Sequence, residues 1–549
     1  MRPQHTSDRK GPRRIGLRAS GCVAKPRGSG RILGSQGLGR DEDGSIIIFS
    51  LFIFVIMMAL GGLGVDTMRT ETKRAELQST LDRAVLAAAD LQQSRDPEAV
   101  VRDYFVKAGF PADLPKVQVV QSLNSRTVRA SAALPVSTAF LRIIGIDSFD
   151  APASGSATES VSDVEIGLVL DVSGSMGSNN RLPRLKTAGA EFIDTMFDSI
   201  ETNHLSVSLV PYSTQVNIGA DLASAANVTT THGYSYCIDL PITAYLTTRA
   251  SPAALVQAGH FDVTGFSPTA PTLSSSSYNG MGANRLNCRT GNSFEVLPWS
   301  NNRQALKTRI NGLSAEGWTS IEMGVNWGTA LLEPASRGAL TTMISRGKVS
   351  PALAGWPRDF LSTEAMKVLV VMTDGANTYD FRLKPPYNGN SLSDVWLYDS
   401  DDYVVKISNT KYFRAKTGTW LTALPSGGTR LRWPELFNRM TVREHAYHLR
   451  ARQFSTSVEM QLEWTKWTSI VEHSTVVEKN ARLTQICAAA RAKGIIIFTI
   501  GFEVNEAGAL AAMADCASSP SHFYRVEGLQ ISSAFTSIAT QIKALRLVQ

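Results

Sequence analysis

The chain has 549 residues, a formal net charge of +7 and a composition that is 43% hydrophobic and 19% charged. This length exceeds one compact domain, and the composition is that of a globular protein, which excludes a largely disordered chain. Residues 1–40 contain ten Lys or Arg and one acid, Asp8, so the remainder is close to neutral. This distribution argues against a general nucleic-acid binder, with a nucleic-acid tail left as the alternative for the basic arm.

The amino-terminal region predicts a cytoplasmic arm and a membrane span. Residues 1–44 are rich in Arg, Gly and Ser without apolar periodicity, which predicts disorder. Residues 45–65, SIIIFSLFIFVIMMALGGLGV, are uncharged and long enough to cross a bilayer as a helix. The positive-inside rule places the arm in the cytoplasm and everything after Asp66 on the far side. A cleaved signal peptide is the alternative, with a weak cleavage site in ALGGLGV.

Residues 66–160 predict a helical stem and a small α+β stalk that is rich in strands. Leu77, Leu81 and Val85 repeat at helical spacing, with charges between them. From residue 97 the character changes, because KVQVVQSL and RTVRASAALPVSTAF alternate polar and apolar residues as half-buried antiparallel strands do. Residues 150–163, DAPASGSATESVSD, are interpreted as a connecting strand or a linker.

Residues 161–549 predict an α/β fold, with a mostly parallel, Rossmann-like sheet and helices on both faces. The runs VEIGLVL, LSVSLVPYS, MKVLVVMTDG and IIIFTIGF are typical of buried strands, and segments of helical periodicity alternate with them. Two insertions, at about 214–300 and 377–470, interrupt this order, and segments this long are usually functional or fold as subdomains. The second insertion holds five of the nine tryptophans, interpreted as packing residues in preference to an exposed binding surface: Trp396, Trp420, Trp433, Trp464 and Trp467.

Four of the five cysteines lie beyond the span. Cys22 is in the arm, where a reduced thiol is expected. The other four allow three pairings. The pairs that follow one another along the chain, Cys237 with Cys288 and Cys487 with Cys516, close the shortest loops and are predicted. Four buried free thiols are the alternative.

Oxygen-bearing side chains collect where strands of the predicted sheet end. Asp171, Ser173 and Ser175 follow the first strand, Asp374 follows the strand in MKVLVVMTDG, and Thr319 precedes a helix. Ligands of doubly wound sheets bind beyond the carboxyl ends of the strands, and hard divalent cations prefer oxygen ligands. These five residues therefore predict a site for Mg²⁺, with Mn²⁺ or Ca²⁺ as alternatives. Because hydroxyl ligands carry no charge, an acidic residue of a partner protein can complete the shell.

This pattern resembles the metal-ion-dependent adhesion site of von Willebrand factor A domains. The matching motifs are DVSGS at residues 171–175, Thr319 in a Gly-x-Thr-Ser context, and TDG around Asp374, in the same order and on the same elements. The resemblance implies that these residues surround the metal, some directly and some through water. No position of the motif is missing, although the two insertions exceed the minimal domain.

The amino-terminal part resembles the TadG-like proteins of the Flp, or tight-adherence, pilus assembly system. The matching features, within residues 41–160, are an acidic-Gly-Ser turn, the apolar span, G-x-x-x-D and LQ-x-x-x-D-x-A-x-L-A-A-A. Phe49 stands where prepilin-type processing after Gly44 requires a glutamate, so the chain is expected to stay anchored. The resemblance implies a single-pass protein of the bacterial inner membrane with a periplasmic bulk, whose partners are pilus or secretion-machine proteins.

The expected function is therefore binding and assembly without catalysis. The sequence contains no Walker A loop or nucleophile elbow, and Ser173 replaces the second aspartate of a haloacid-dehalogenase-type phosphatase. His445 and His448 of HAYH are interpreted as a solvated helix face in preference to a metal-binding pair. Two alternatives remain: a surface-exposed, adhesin-like A-domain protein, and a structural anchor with a vestigial metal site.

Overall fold

The computed structural model describes residues 43–548 except for gaps at 91–92, 94, 122–124, 161–162, 250–254, 265–272, 274, 276, 279–281, 361 and 363–364. The basic arm up to residue 42, including Cys22, lies outside the described residues. The chain forms two compact units, which are described separately. The first comprises residues up to 77 together with 133–152, and the second comprises 78–132 together with the chain from 153 onward.

One uninterrupted helix, α1 (Asp43–Ala89), contains both the predicted span and the predicted stem. The apolar residues of the span are exposed, and the length and hydropathy of the helix fit a membrane anchor. Leu77, Leu81 and Val85 are buried, as their helical spacing predicts. The change from span to stem is therefore a change of side chains along a continuous helix.

The stalk consists of α2 (Pro97–Lys107) and three strands, β1 (Lys116–Gln121), β2 (Ser125–Ser137) and β3 (Ser148–Ser160), in the order β1-β2-β3. Helix α2 is the helical part of the predicted α+β stalk; it begins where the Asp96 carboxylate accepts a hydrogen bond from the Ala99 N–H and Pro97 occupies the first turn. Residues 150–163 belong mainly to strands, so the strand alternative is correct for this segment.

The remaining strands follow in chain order: β4 (Asp163–Asp171), β5 (Leu205–Tyr212), β6 (Leu297–Ser300), β7 (Ala365–Thr373), β8 (Asp380–Leu383), β9 (Leu392–Leu397), β10 (Tyr403–Ser408), β11 (Lys411–Arg414), β12 (Thr419–Leu421), β13 (Thr429–Arg432), β14 (Val471–Ser474), β15 (Ile496–Phe502) and β16 (Phe523–Val526). The helices are α3 (Arg181–Ser199), α4 (Gly219–Ala225), α5 (Arg303–Asn311), α6 (Ile321–Ala330), α7 (Arg337–Ser345), α8 (Trp433–Phe437), α9 (Val442–Glu444), α10 (Ser457–Thr468), α11 (Val476–Ala492), α12 (Ala507–Cys516) and α13 (Gln530–Val548).

The central sheet of this domain has six strands in the order β16-β15-β7-β4-β5-β6. All neighbours are parallel except β6, which runs antiparallel to β5. Helices α3, α5 and α13 contribute to the core on one face, and α6, α11 and α12 to the core on the other. These two cores draw only on residues from Val164 to Ile542, so the α/β domain has its own hydrophobic interior. The predicted fold class is confirmed.

The two insertions share a third hydrophobic core. Strands β12-β11-β10-β9-β13 form an antiparallel sheet, and β8 pairs with β14. Phe261 and Val263 of the first insertion pack with residues of the second, including the buried Trp433, Trp464 and Trp467. The packing interpretation is correct for these three tryptophans, whereas the side chain of Trp420 is 42% exposed.

The interpretation of His445 and His448 as a solvated helix face is wrong. Both rings are buried, in a six-residue π-helical segment, His445–Arg450, that follows α9. The Arg450 Nε–H donates to His445 Nε2 at 3.1 Å, and Trp467 packs edge-on against the His445 ring at 4.8 Å between centroids. Packing against the tryptophans of the insertion core, which local periodicity does not reveal, therefore determines the position of these rings.

Both predicted cysteine pairs form disulfide bonds in the structure. Cys237 joins Cys288 within the first insertion. Cys487 joins Cys516 and so connects α11 to α12.

Candidate metal site

The two carboxylates of the candidate site come from the ends of neighbouring central strands. β4 and β7 pair in parallel register, with Leu170 opposite Met372. Asp171 is the last residue of β4, and Asp374 is the first residue after β7. Both are buried, with exposed fractions of 0% and 3%, so the sheet itself places two acids together in a nearly dry position.

A chain of hydrogen bonds joins four of the five predicted residues. The Ser173 N–H donates to Asp171 Oδ1 at 2.8 Å, and the Ser173 and Ser175 hydroxyl oxygens are 3.0 Å apart. The Ser175 hydroxyl donates to Asp374 Oδ1 at 2.7 Å. The alternate spacing of the DVSGS motif therefore directs all three of its polar side chains toward the end of the second strand.

The second oxygen of each carboxylate, Oδ2, has a partner that the sequence did not predict. Asp171 Oδ2 accepts from the Thr373 hydroxyl at 2.8 Å, and Asp374 Oδ2 accepts from Arg181 Nη1 at 2.9 Å. Glu503, which follows β15, binds the other side of the Arg181 guanidinium at 2.8 Å. Thr373 lies in the TDG motif and Arg181 only six residues after Ser175, so both carried a weak local signal.

The loop that carries Thr319 is joined to the DVSGS loop by backbone hydrogen bonds. The Gly174 N–H donates to the Gly317 carbonyl at 2.9 Å, and the Glu316 N–H donates to the Val172 carbonyl at 2.8 Å, which joins the two loops. Gly317 has a φ of +93°, and an added Cβ would lie 2.8 Å from the Thr214 hydroxyl, so this turn requires glycine. Thr319, with 5% of its surface exposed, lies two residues before the start of α6.

A buried lysine forms hydrogen bonds to the segment that contains Thr319. Lys479 Nζ donates to the Thr319 carbonyl at 2.8 Å and to the Ser320 hydroxyl at 2.6 Å. Its ammonium also lies 3.7 Å from Glu322 Oε1, and neither residue is exposed. Lys479 is on α11, about 160 residues away along the chain, so no local signal predicted this contact.

The donor set fits a hard divalent cation. All five predicted side chains offer oxygen, the ligand atom that hard divalent cations prefer. Among the described residues, no group of three or more His, Cys, Asp or Glu side chains that could hold a metal ion occurs. Burial, and secondarily the negative charge of Asp374, raises the pKa of Asp171 to about 7. Burial also raises the pKa of Asp374. Two acids that are costly to ionise in this position are what a bound cation would stabilise in the charged form.

A cleft of about 430 Å³ adjoins the site. Gly174, Gly317 and Trp318 line it on the side of the metal-site loops, and Arg285 and Arg289 line it on the side of the first insertion. Arg289 is only 7% exposed; it pairs with Glu316 at 2.5 Å, and its Nε–H has no partner among the described residues. Arg289 follows Cys288, so the disulfide to Cys237 fixes its backbone.

The mostly parallel central sheet, the helices on both faces and the polar loops at the carboxyl ends of β4 and β7 form the α/β arrangement that the resemblance to von Willebrand factor A domains implies. The amino-terminal resemblance is also confirmed, because residues 44–91 match the Tad family of Flp pilus-assembly TadE/G-like proteins. The chain thus combines a TadE/G-like segment, which lies in a long apolar helix, with a large α/β domain.

Several solved pilus proteins are similar to this chain in structure. The von Willebrand factor domain of the type V pilus tip protein Mfa5 from Porphyromonas gingivalis is 14% identical, over 70% of this chain and 96% of that chain, with a TM-score of 0.31. The adhesive tip pilin GBS104 from Group B Streptococcus agalactiae is 14% identical, over 69% of this chain and 100% of that chain, with a TM-score of 0.29.

The pilus adhesin SpaC from Lactobacillus rhamnosus GG is 12% identical over 78% of this chain, with a TM-score of 0.32, and this chain spans 34% of the SpaC chain. No curated protein matches the sequence of the chain.

Proposed function

We propose that this protein is a membrane-anchored assembly protein of the Flp pilus system that docks partner proteins through a divalent cation. The observation that carries the proposal is the hydrogen-bonded cluster of Asp171, Ser173, Ser175 and Asp374 after β4 and β7, with Thr319 on an adjoining loop. The TadE/G-like segment at residues 44–91 supports the pilus role, and the apolar helix supports the anchor. The protein then resides in the inner membrane, with a cytoplasmic amino terminus and a periplasmic bulk.

The cation, with Mg²⁺ expected, would offer a coordination position to a carboxylate of the partner. Two carboxylates balance the charge of a divalent ion, but five side-chain oxygens leave one position of an octahedral shell for an oxygen ligand from outside. The adjoining cleft favours a carboxylate as this ligand, because it presents two arginines, Arg285 and Arg289, against one acid, Glu316. We infer that the partner segment is acidic, with one carboxylate at the cation and further negative charge over the cleft, and that the role is binding without catalysis.

The test is complementation of a strain that lacks this protein. The Asp171→Ala variant, which removes the most deeply buried ligand, is expected to abolish pilus formation while the protein still accumulates in the membrane. The matched control is Ser178→Ala, an exposed serine on the same loop, which is expected to support normal pili. Normal pili with Asp171→Ala would instead favour the structural anchor with a vestigial metal site.

Fractionation separates the other alternative. The assembly role predicts that the full chain is recovered with the inner membrane and is protected from protease added to intact cells. Digestion of the A domain on intact cells would favour the surface-exposed adhesin.

A further inference from the structure

Asp66, the first charged residue after the span, holds the loop that joins β2 to β3. It is 2% exposed, and its Oδ1 accepts the Ala139 N–H at 2.8 Å. Its Oδ2 accepts the N–H groups of Phe140 and Leu141, each at 2.9 Å. Three hydrogen bonds to one ionised acceptor are strong, so this loop is fixed to α1 at the point where the apolar span ends.

Gly62, one helical turn before Asp66, completes the contact. A Cβ added to Gly62 would lie 2.5 Å from the Cβ of Phe140, so only glycine admits the ring at this distance. From residue 46 to residue 69, Gly62 and Asp66 are the two buried residues of the helix. Residues four apart share one helix face, and the loop therefore covers this one face of the last turn of the span.

The outer side of the same loop is apolar and exposed. Leu141 packs inward, whereas Phe140, Ile143 and Ile144 are 40%, 79% and 63% exposed. Arg142, between them, has 76% of its side chain exposed. A cluster of large exposed apolar side chains indicates a contact surface, and this one continues the exposed apolar surface of the span.

We propose that this loop, residues 138–147, enters the lipid interface beside the span and forms a second membrane contact. The proposal rests on the membrane anchor included in the proposed function. Gly62 lies three residues before Val65, so the Phe140 ring packs about 4–5 Å inside the end of the span, at about 1.5 Å per residue. That depth matches the boundary of headgroups and acyl chains, where exposed apolar side chains are stable and an arginine extends its charge toward the headgroups.

This contact gives Gly62 and Asp66 a common purpose. The carboxylate satisfies the backbone N–H groups of a loop that would otherwise carry them into a poorly hydrated region, and glycine provides the space for an aromatic wedge. A helix held at one end by lipid alone can rotate about its own axis and tilt. The wedge would fix which face of this part of α1 meets the membrane surface.

The experiment uses the full chain, with Cys22 replaced by serine, reconstituted in phosphatidylcholine–phosphatidylglycerol vesicles. Single cysteines introduced by Ile143→Cys and, separately, Ile144→Cys are labelled with the fluorophore NBD; the other four cysteines are paired. Phe54→Cys, inside the span, is the membrane control, and Glu76→Cys, exposed on the stem, is the aqueous control. Quenching is measured with lipids that carry a spin label at a shallow or a deep acyl position.

The probes at residues 143 and 144 are expected to show blue-shifted emission and stronger quenching by shallow than by deep spin labels. The Phe54 probe is expected to show the reverse order, and Asp66→Ala is expected to reduce quenching at residue 144 without changing it at Phe54. Unquenched probes at both loop positions, with normal quenching at Phe54, would overturn this inference and leave the anchor intact. An unquenched Phe54 probe would overturn the anchor itself. Blue-shifted but unquenched loop probes would indicate a protein surface over the loop and would also overturn the lipid contact.

Discussion

Acidification is expected to weaken the subdomain that the two insertions form, because it contains buried neutral histidines. Burial lowers the pKa of His260 to about 4, and burial together with the charge of Arg452 lowers the pKa of His448 to about 4. Both residues are 2% exposed. His260 Nε2 lies 3.0 Å from Asn438 Oδ1, which links the first insertion to the second.

The sign follows from the two pKa values of each ring. In the unfolded chain an imidazole titrates near pH 6.5, whereas in the folded protein His260 and His448 stay neutral until about pH 4. Between these values the unfolded state binds the proton and the folded state does not, so stability is complete above pH 6.5 and is lost as the pH falls. From pH 7 to pH 5 each histidine reduces the free energy of unfolding by about 2 kcal/mol, or about 4 kcal/mol for the pair.

The assay is urea unfolding of a fragment spanning residues 160–549 at pH 7 and pH 5. Tryptophan fluorescence reports mainly on this subdomain, because the second insertion holds five of the nine tryptophans. His260→Gln is expected to remove about 2 kcal/mol of the pH-dependent loss. The control is Val395→Ala, a fully buried residue of the same core, which is expected to cost about 2 kcal/mol equally at both pH values. If both His260→Gln and His448→Gln lost as much unfolding free energy between pH 7 and pH 5 as the native fragment, these histidines would not be the cause of the acid sensitivity.

Three further sets of substitutions test individual contacts within the α/β domain. Replacing Cys487 and Cys516 by serine opens a loop with a sequence separation of 29 residues and is expected to cost about 3–4 kcal/mol in urea unfolding; no loss would contradict the cross-link. Lys479→Met leaves the carboxylate of Glu322 buried without its counter-charge and is expected to cost about 3–5 kcal/mol in the same assay; a cost below about 1 kcal/mol would contradict the pairing. Arg181→Gln removes a positive charge beside the site and is expected to strengthen Mg²⁺ binding about five-fold, or about 1 kcal/mol, in a calorimetric titration; weaker binding would show that its role is to hold the site together.

The parts of the fold that depend on local pattern could be predicted from the sequence. The apolar run VEIGLVL predicts a strand covered on both faces, and every residue of β4 is indeed buried. The end of that strand determines the position of DVSGS. Parallel pairing of β4 with β7 then brings Asp374 to the same place, which follows from general rules of α/β sheets.

The parts that depend on distant packing could not be predicted. Lys479 reaches Thr319 from a helix about 160 residues later, and Arg289 enters the cleft only because the first insertion folds back over the sheet. His445 looks like a surface residue in an amphipathic segment, yet a π-helical turn and tryptophan packing bury it. In each case tertiary contacts override a local signal that is weak or misleading.

Calorimetric titration of the 160–549 fragment with Mg²⁺ and with Mn²⁺, beside its Asp171→Ala variant, is the most direct test of the proposed metal site. A working site gives saturable binding of one ion by the native fragment and no binding by the variant, with both proteins showing the same circular dichroism spectrum. Binding of equal strength by the variant, or no binding of either ion by a folded native fragment, would contradict the claim that these five side chains form a working metal site.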